Sequence, residues 1–212
     1  MRFGEVGPAV KPGETFSYSN AGYNLLAGLV EVVSGKLFGD YVRDRIYEPL
    51  AMTDSCNHET VADQLRMSQV VRSLGGGRWH TQWHPFEKPV IPFARGSGGM
   101  ISTAADYQRF ARLFLSAGEH EGRPLLSADL VAEATKDQCE HLEDRYGFGW
   151  RITRFGWSHT GSHGSYVWCN PDLDLVGVVL TQTRTSSQLT RARKRFRQEI
   201  TRALSPDPKP PR

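Results

Sequence analysis

Two short clusters hold residue types suited to proton transfer and to binding a charged intermediate. The first is Tyr18-Ser19-Asn20, at the mouth of an amphipathic stretch. A tyrosine hydroxyl beside a cation can act as a general base, because the cation favours the phenolate. An asparagine two residues on offers both a donor and an acceptor to a substrate amide. The same residues also read as a helix start, with Ser19 or Asn20 as the N-cap and Tyr18 as a packed aromatic. The second cluster is His159-Thr160-Gly161, followed by Ser162. An imidazole recognises an anionic substrate group, the threonine hydroxyl assists it, and the glycine lets substrate backbone lie against the chain so that the next N–H can point at an oxyanion. The plain alternative is a half-buried strand with a glycine bulge.

Other candidates carry less. His80 and His84, and His159 and His163, have the spacing of a helical chelating pair, but Pro85 follows the first and Gly161 and Gly164 interrupt the second. No third ligand has matching spacing, so neither a metal nor an organic cofactor is expected. Cys56, Cys139 and Cys169 are far apart and form no C-x-x-C pair, which argues against a disulfide framework. The basic run Arg191 to Arg197 reads as the solvated face of a terminal helix. Lys plus Arg is 26 and Asp plus Glu is 23, so the net charge is 26 − 23 = +3, with 39% apolar and 23% charged residues over 212 positions. That composition excludes disorder throughout, and a nucleic-acid partner is not expected. No run of ~18 apolar residues exists, so no membrane span is expected either. Met1-Arg2-Phe3-Gly4-Glu5 lacks the apolar core of a signal peptide, and the compartment stays open.

The elements that must position these residues follow from periodicity. Leu26, Leu29, Val30 and Val33 make one helical face after Asn20, stopped by Ser34-Gly35. A second helix is expected over Leu37 to Ile46, ended by Pro49. Residues 54–99 read mostly as loop, with a helix near Val61 to Leu74. Thr103 and Asp106 form a capping-box-like start to a helix with Tyr107, Phe110, Ala111 and Phe114 on one face, and Ser127 caps a shorter helix to about Thr135. From Tyr146 the period becomes two. Phe148, Trp150 and Ile152 alternate in one strand, Trp157–Thr160 and Ser165–Cys169 form two more, and Leu173 to Thr181 reads as a strand buried on both faces. A last helix over Ser187 to Leu204 has Leu189, Ala192, Phe196, Ile200 and Ala203 as its apolar stripe, and 205–212 is a tail. The fold class is therefore α+β. One domain spans 1–204, mainly helical and loop over about 15–140, then antiparallel strands and a closing helix over 143–204.

The motifs occur in an order that resembles a known family. Pro12-Gly-Glu-Thr-Phe-Ser-Tyr18-Ser-Asn20-Ala-Gly-Tyr23-Asn-Leu-Leu-Ala-Gly28 is similar to the Y-x-N region of the class C β-lactamase-like serine hydrolases. Glu48-Pro49-Leu50-Ala51-Met52, Gly98-Gly99-Met100-Ile-Ser102-Thr103-Ala-Ala-Asp106, Tyr146-Gly-Phe-Gly149-Trp150 and His159-Thr160-Gly161 resemble its later segments. The group includes β-lactamases, D-alanyl-D-alanine carboxypeptidases, D-aminopeptidases and esterases. The resemblance implies a serine β-lactamase/transpeptidase-like fold, incomplete at its N-terminus. It implies Tyr18 as general base or acid, Asn20 on the substrate amide, His159 and Thr160 on its carboxylate or leaving side, and the Ser162 N–H after Gly161 as half of an oxyanion hole.

The family's nucleophile lies in an S-x-x-K motif upstream of Y-x-N. Lys11, Lys36, Lys88, Lys136, Lys194 and Lys209 are preceded at that spacing by Pro8, Val33, Pro85, Glu133, Arg191 and Pro206, none of them serine. The resemblance therefore implies a C-terminal part of the domain, with little or no hydrolase activity as it stands. The alternatives to this leading reading are a non-catalytic module binding a small acyl substrate or peptidoglycan-like peptide, and one half of a split enzyme. Histidine in place of the lysine found in many β-lactamases tilts the reading toward a peptidase or esterase. In relatives early strands join the same sheet, so an unpaired edge near Trp157 or Leu173 is expected here. Homo-oligomers, or pairing with a complementing N-terminal segment, would follow.

Overall fold

The structure, a computed structural model, describes residue 7 and residues 10–87, 93–184 and 186–205. Helix α1 (Asn20–Ser34) starts at Ser19, whose Oγ accepts the Gly22 N–H at 3.0 Å, and ends at Gly35 in the left-handed region, φ 69°. Ser19 is therefore the cap and Asn20 the first helical residue. Helix α2 (Phe38–Val42) continues as a π-helical turn over Arg43–Tyr47, close to the expected bounds. Helix α3 (Val61–Arg66) has a full capping box between Thr60 and Asp63.

The expected continuation of α3 to Leu74 does not occur. Met67 turns extended, and Val70–Gly75 (β1) pairs with Arg78–Trp83 (β2) as an antiparallel hairpin. Gly75, Gly76 and Gly77 all have positive φ and form its turn. The β-branched Val70 and Val71 favour the strand over a helix that would have to continue into glycines. The segment 54–99 is thus not mostly loop.

Helix α4 (Ala104–Leu115) is the central helix. Thr103 caps it, accepting the Asp106 N–H at 3.2 Å. The Asp106 carboxylate does not complete a capping box. It is 1% exposed and accepts from the Asp54 N–H at 2.7 Å, the Ser55 hydroxyl at 2.9 Å and Arg109 Nη1 at 2.9 Å. A small hairpin (β3, Glu119–His120; β4, Arg123–Pro124) and helix α5 (Ala128–Thr135, capped by Ser127) follow.

Four antiparallel strands then form one sheet in chain order: β5 (Arg151–Thr153), β6 (Gly156–Thr160), β7 (Tyr166–Asn170) and β8 (Leu175–Val179). Its inner face puts Trp157, Val167, Cys169, Val176 and Val178 against Ala111 and Phe114 of α4, with Val131 and Trp150. A second cluster, Tyr47, Leu50, Met52 and Leu113, lies on another side of α4. Helix α6 (Ser187–Leu204) packs on the outer face, where Phe196 meets Trp168 edge-on at 5.8 Å and Arg197 donates to the Tyr166 hydroxyl at 3.2 Å.

Several packing expectations fail in one direction. The strand expected from Tyr146 begins only at Arg151, because Gly149 (φ 83°) turns the chain and leaves Phe148 60% exposed while Trp150 is buried. The strand expected over Leu173 to Thr181 is shorter and half-buried along its length. On α1, Leu26, Leu29 and Val33 are 57%, 55% and 79% exposed; the buried residue is Ala27. The segment around Gly96 crosses α1 there: a Cβ on Gly96 would collide with the Tyr23 carbonyl, and the Ser97 N–H donates to Asn24 Oδ1 at 3.1 Å. On α6, Phe196 is 47% exposed, Ala192 and Ala203 are also exposed, and the buried residue is Arg193. Of the two expected edges, Trp157 lies on β6, an interior strand, whereas β8 is a sheet edge. Among the described residues no helix is long and apolar enough to cross a membrane. Of the expected tail, residues 206–212 lie outside the described residues.

Candidate active site

His159 and Thr160 sit at the end of β6, paired with Val167 and Tyr166 of β7. On the other side β5 pairs only with Gly156 to Ser158. The β6 edge at His159 and Thr160 therefore has no ladder partner there among the described residues. Gly161 ends the strand. A Cβ at this position would strike the Ser165 hydroxyl, and the Gly161 N–H closes the turn onto the Ser165 carbonyl at 2.9 Å. Ser162 is exposed at the tip of that turn, with its hydroxyl 3.5 Å from His163 Nδ1.

Tyr18 precedes α1 and reaches the same place. Its ring centroid is 6.2 Å from that of His159, 5.7 Å from Tyr23 and 6.4 Å, edge-on, from Tyr146. Phe16 packs on Tyr146 at 5.0 Å. Asn20 is exposed in the first turn of α1, two residues beyond Tyr18. The two clusters picked out by residue type thus meet in space.

The electrostatics differ from the expectation for both titratable groups. Burial, then the neighbouring Tyr23 hydroxyl, raises the Tyr18 pKa above the usual phenol value. Tyr18 is a neutral hydroxyl near pH 7, with aromatic rings around it in place of the cation a phenolate needs. His159 is shifted down, first by burial and further by Arg151, against a backbone hydrogen bond that favours the charged form. That bond is to the Gly149 carbonyl, 2.7 Å from Nδ1. A carbonyl only accepts, so Nδ1 carries the proton and Nε2 keeps its lone pair. The neutral ring is thus an acceptor at Nε2, not the cationic head that an anion would meet first.

The residue types alone did not mark Tyr146 and Gly149 as part of this site. The Tyr146 hydroxyl lies 3.2 Å from His159 Nδ1, and burial followed by a hydrogen bond with Tyr23 raises its pKa. A signal existed: extending the β5–β6 register, in which Arg151 faces Ser158, by one residue puts Trp150 opposite His159. The glycine turn at Gly149 hid it, because it breaks the alternation that the strand reading used. The i, i+4 histidines gather no metal site: among the described residues no group of three or more His, Cys, Asp or Glu side chains could hold an ion.

A Beta-lactamase family model matches residues 2–202. Penicillin-binding protein 4 of Amycolatopsis lactamdurans is 28% identical over 193 residues, covering 84% of this chain and 50% of that protein. The chain spans about half the length of the curated relatives it matches. Simvastatin synthase from Aspergillus terreus superposes with a TM-score of 0.78 at 16% identity, over 95% of this chain and 59% of that one. A D-amino acid amidase from Ochrobactrum anthropi SV3 gives 0.68 at 20% identity, over 92% and 60%. The motif order, the helical lobe beside an antiparallel sheet and the family match agree: the chain belongs to the Beta-lactamase family of serine hydrolases and has their α+β fold.

Proposed function

We propose that this chain forms the Y-x-N and H-T-G walls of an acyl-transfer site for an amide, ester or β-lactam bond, and that these 212 residues bind such a substrate without cleaving it. The observation that carries the reading is the meeting of Tyr18 with His159, residues at opposite ends of the sequence, at 6.2 Å beside an open strand edge. In this reading the substrate backbone lies along β6 and Asn20 holds its amide. Thr160 and His159 take its carboxylate or leaving side, and the Ser162 N–H contributes to oxyanion binding. Tyr18 stands where a proton would pass between a nucleophile and a leaving group, but that role needs a nucleophile and a cation to lower its pKa, so in this chain it serves as a neutral hydrogen-bonding wall. A carboxylate arriving at His159 would draw a proton onto Nε2, since an opposite charge favours the ionised ring.

The reading of no turnover rests on the sequence, in which no serine stands three residues before a lysine. Loss of an essential nucleophile costs ~10⁶ in rate in a serine protease. That same observation favours a non-catalytic peptide- or peptidoglycan-binding role for the chain by itself. Intact-mass spectrometry after a serine-reactive fluorophosphonate and, separately, a penicillin tests it. The expected result is no added mass with either reagent. A stoichiometric adduct at one mapped serine would overturn the reading and name the nucleophile.

A further inference from the structure

A cavity of about 280 Å³ opens between the outer face of the sheet and the C-terminal half of α6. The ladder sets Ser158 of β6 opposite Trp168 of β7, so the two side chains share one face and form the cavity floor. Trp168 is 3% exposed and Ser158 8%. One wall is the β5–β6 turn, with Arg154 and Phe155. The other wall is α6, with Arg197 and Arg202. The acyl-transfer reading uses none of these residues.

The charge of the lining has one sign. Arg154, Arg197 and Arg202 line the cavity and no aspartate or glutamate does. Among the described residues none of the three forms an ion pair. Two of them are held in place by neighbours. Arg197 Nη1 donates to the Tyr166 hydroxyl at 3.2 Å, and Tyr166 stacks on Trp168 at 5.3 Å. A guanidinium carries five N–H donors in a fixed plane, so one bond to Tyr166 leaves Arg197 others for a ligand. The Arg154 guanidinium lies over the Phe155 ring, 4.4 Å from its centroid, a cation–π contact that sets a second cation at the rim. Cations of one sign around a concave wall focus their field into it and attract an anion more strongly than a flat surface does.

We propose that this cavity binds a small organic carboxylate: a flat apolar body of one or two rings against Trp168 and Phe155, with its carboxylate on Arg197 and Arg202. The volume sets the size, since it lies just below the roughly 300–1,000 Å³ usual for ligand cavities. The acid-free set of arginines sets the sign, and the planar fork of a guanidinium matches the two oxygens of a carboxylate. The Ser158 hydroxyl on the floor offers one further polar contact. Arg197, fixed by Tyr166 before any ligand arrives, loses little freedom on binding.

The probe is indole-3-acetate, with indole-3-acetamide as its neutral counterpart. Backbone amide shifts of the full chain, read by NMR, should move and saturate with the acid at Ser158, Trp168 and Arg202. The acid should bind about tenfold or more tightly than the amide, the size of one charge-assisted hydrogen bond. Arg202→Gln, at an exposed position where folding is not at risk, should remove much of that preference and leave the affinity for the amide unchanged. Arg197→Gln should do so more strongly. The absence of a saturable shift at Ser158, Trp168 and Arg202 would overturn the proposal. Equal affinities for acid and amide would also overturn it, by showing an apolar recess with no anion site. So would an acid affinity unchanged in both arginine variants. Shifts confined to the turn from His159 to Ser162 would overturn it too and leave the acyl-transfer reading standing, so either idea can fail without the other.

Discussion

Replacing Asp106 by alanine tests how the helical lobe is tied together. One carboxylate, almost wholly buried, is the acceptor that joins the start of α4 to the chain around Asp54 and Ser55. In Asp106→Ala the Asp54 N–H loses this acceptor, and because Asp54 is exposed and water can replace the carboxylate, a net bond of about 0.5–1.5 kcal/mol is lost. The Ser55 hydroxyl keeps a neighbour, Ser102 Oγ at 2.8 Å, so only a net bond of about 0.5–1.5 kcal/mol is lost there. Arg109 has a side chain 42% exposed and a second acceptor in the Ala51 carbonyl at 3.0 Å, so its share is that of a surface pair, about 0–1 kcal/mol.

The sum is about 1–4 kcal/mol, a sizeable part of the roughly 5–15 kcal/mol that holds an ordinary domain folded. The Asp54 N–H and the Ser55 hydroxyl share one oxygen, Oδ2, whereas Arg109 uses Oδ1, so Asp106→Asn with its oxygen in the Oδ2 place keeps both donors and should lose mainly the Arg109 pair, less than the alanine variant. Urea unfolding followed by circular dichroism reads both, as midpoint shifts at constant slope. An alanine variant within about 0.5 kcal/mol of the parent would refute the reasoning, because that is the scatter of an unremarkable surface change. Equal losses in the two variants would refute it differently, by showing that charge and not acceptor count matters.

Two further outcomes follow from the site and the sheet. His159 titrates lower in the folded chain than in the unfolded one, so the unfolded state binds more protons as the pH drops. Its contribution to stability should be complete above the ordinary imidazole pKa of about 6.5 and be lost as the pH falls below it; unfolding midpoints from pH 8 to 5 should show this dependence reduced in His159→Gln, and an unchanged profile would count against a buried neutral ring. Gly177→Ala would drive a methyl into the indole of Trp168, which is held by Tyr166 stacked at 5.3 Å and by Phe196; overpacking of this kind should cost about 1–3 kcal/mol in the same urea assay, and a neutral result would mean the indole is free to move.

Local signals in the sequence were reliable guides where the physics is local. Thr103 and Ser127 cap the helices read from them, and the step from a period of 3.6 to one of 2 marks the sheet. The β1–β2 hairpin was hidden because Gly75-Gly76-Gly77 reads as loop and the residues before it as helix, whereas the three glycines are the turn between two strands. Tyr18, Asn20 and His159 were legible as chemical types, but not the protonation that burial imposes on two of them. Tyr146 entered the site through a positive-φ turn that periodicity cannot express. The stripe on α1 is apolar as its spacing indicates, yet Leu26, Leu29 and Val33 are exposed, because periodicity shows which side of a helix is apolar and says nothing of what lies against it.

The packing and the chemistry lack the same kind of thing. Caps, turns and the Asp106 network are satisfied within the chain, as buried polar groups in native folds usually are. Among the described residues the apolar face of α1 is largely exposed, β8 has one ladder partner, and Arg193 keeps Nε and Nη2 without a hydrogen bond. Tyr18 shows the same deficit in chemical form, since its neighbours raise its pKa where general-base work requires a cation to lower it. Ultraviolet titration of the parent chain against Tyr18→Phe reads that phenol by difference: it should ionise above the ordinary tyrosine value of about 10, and ionisation below it would refute the reading of a neutral hydroxyl among aromatic rings.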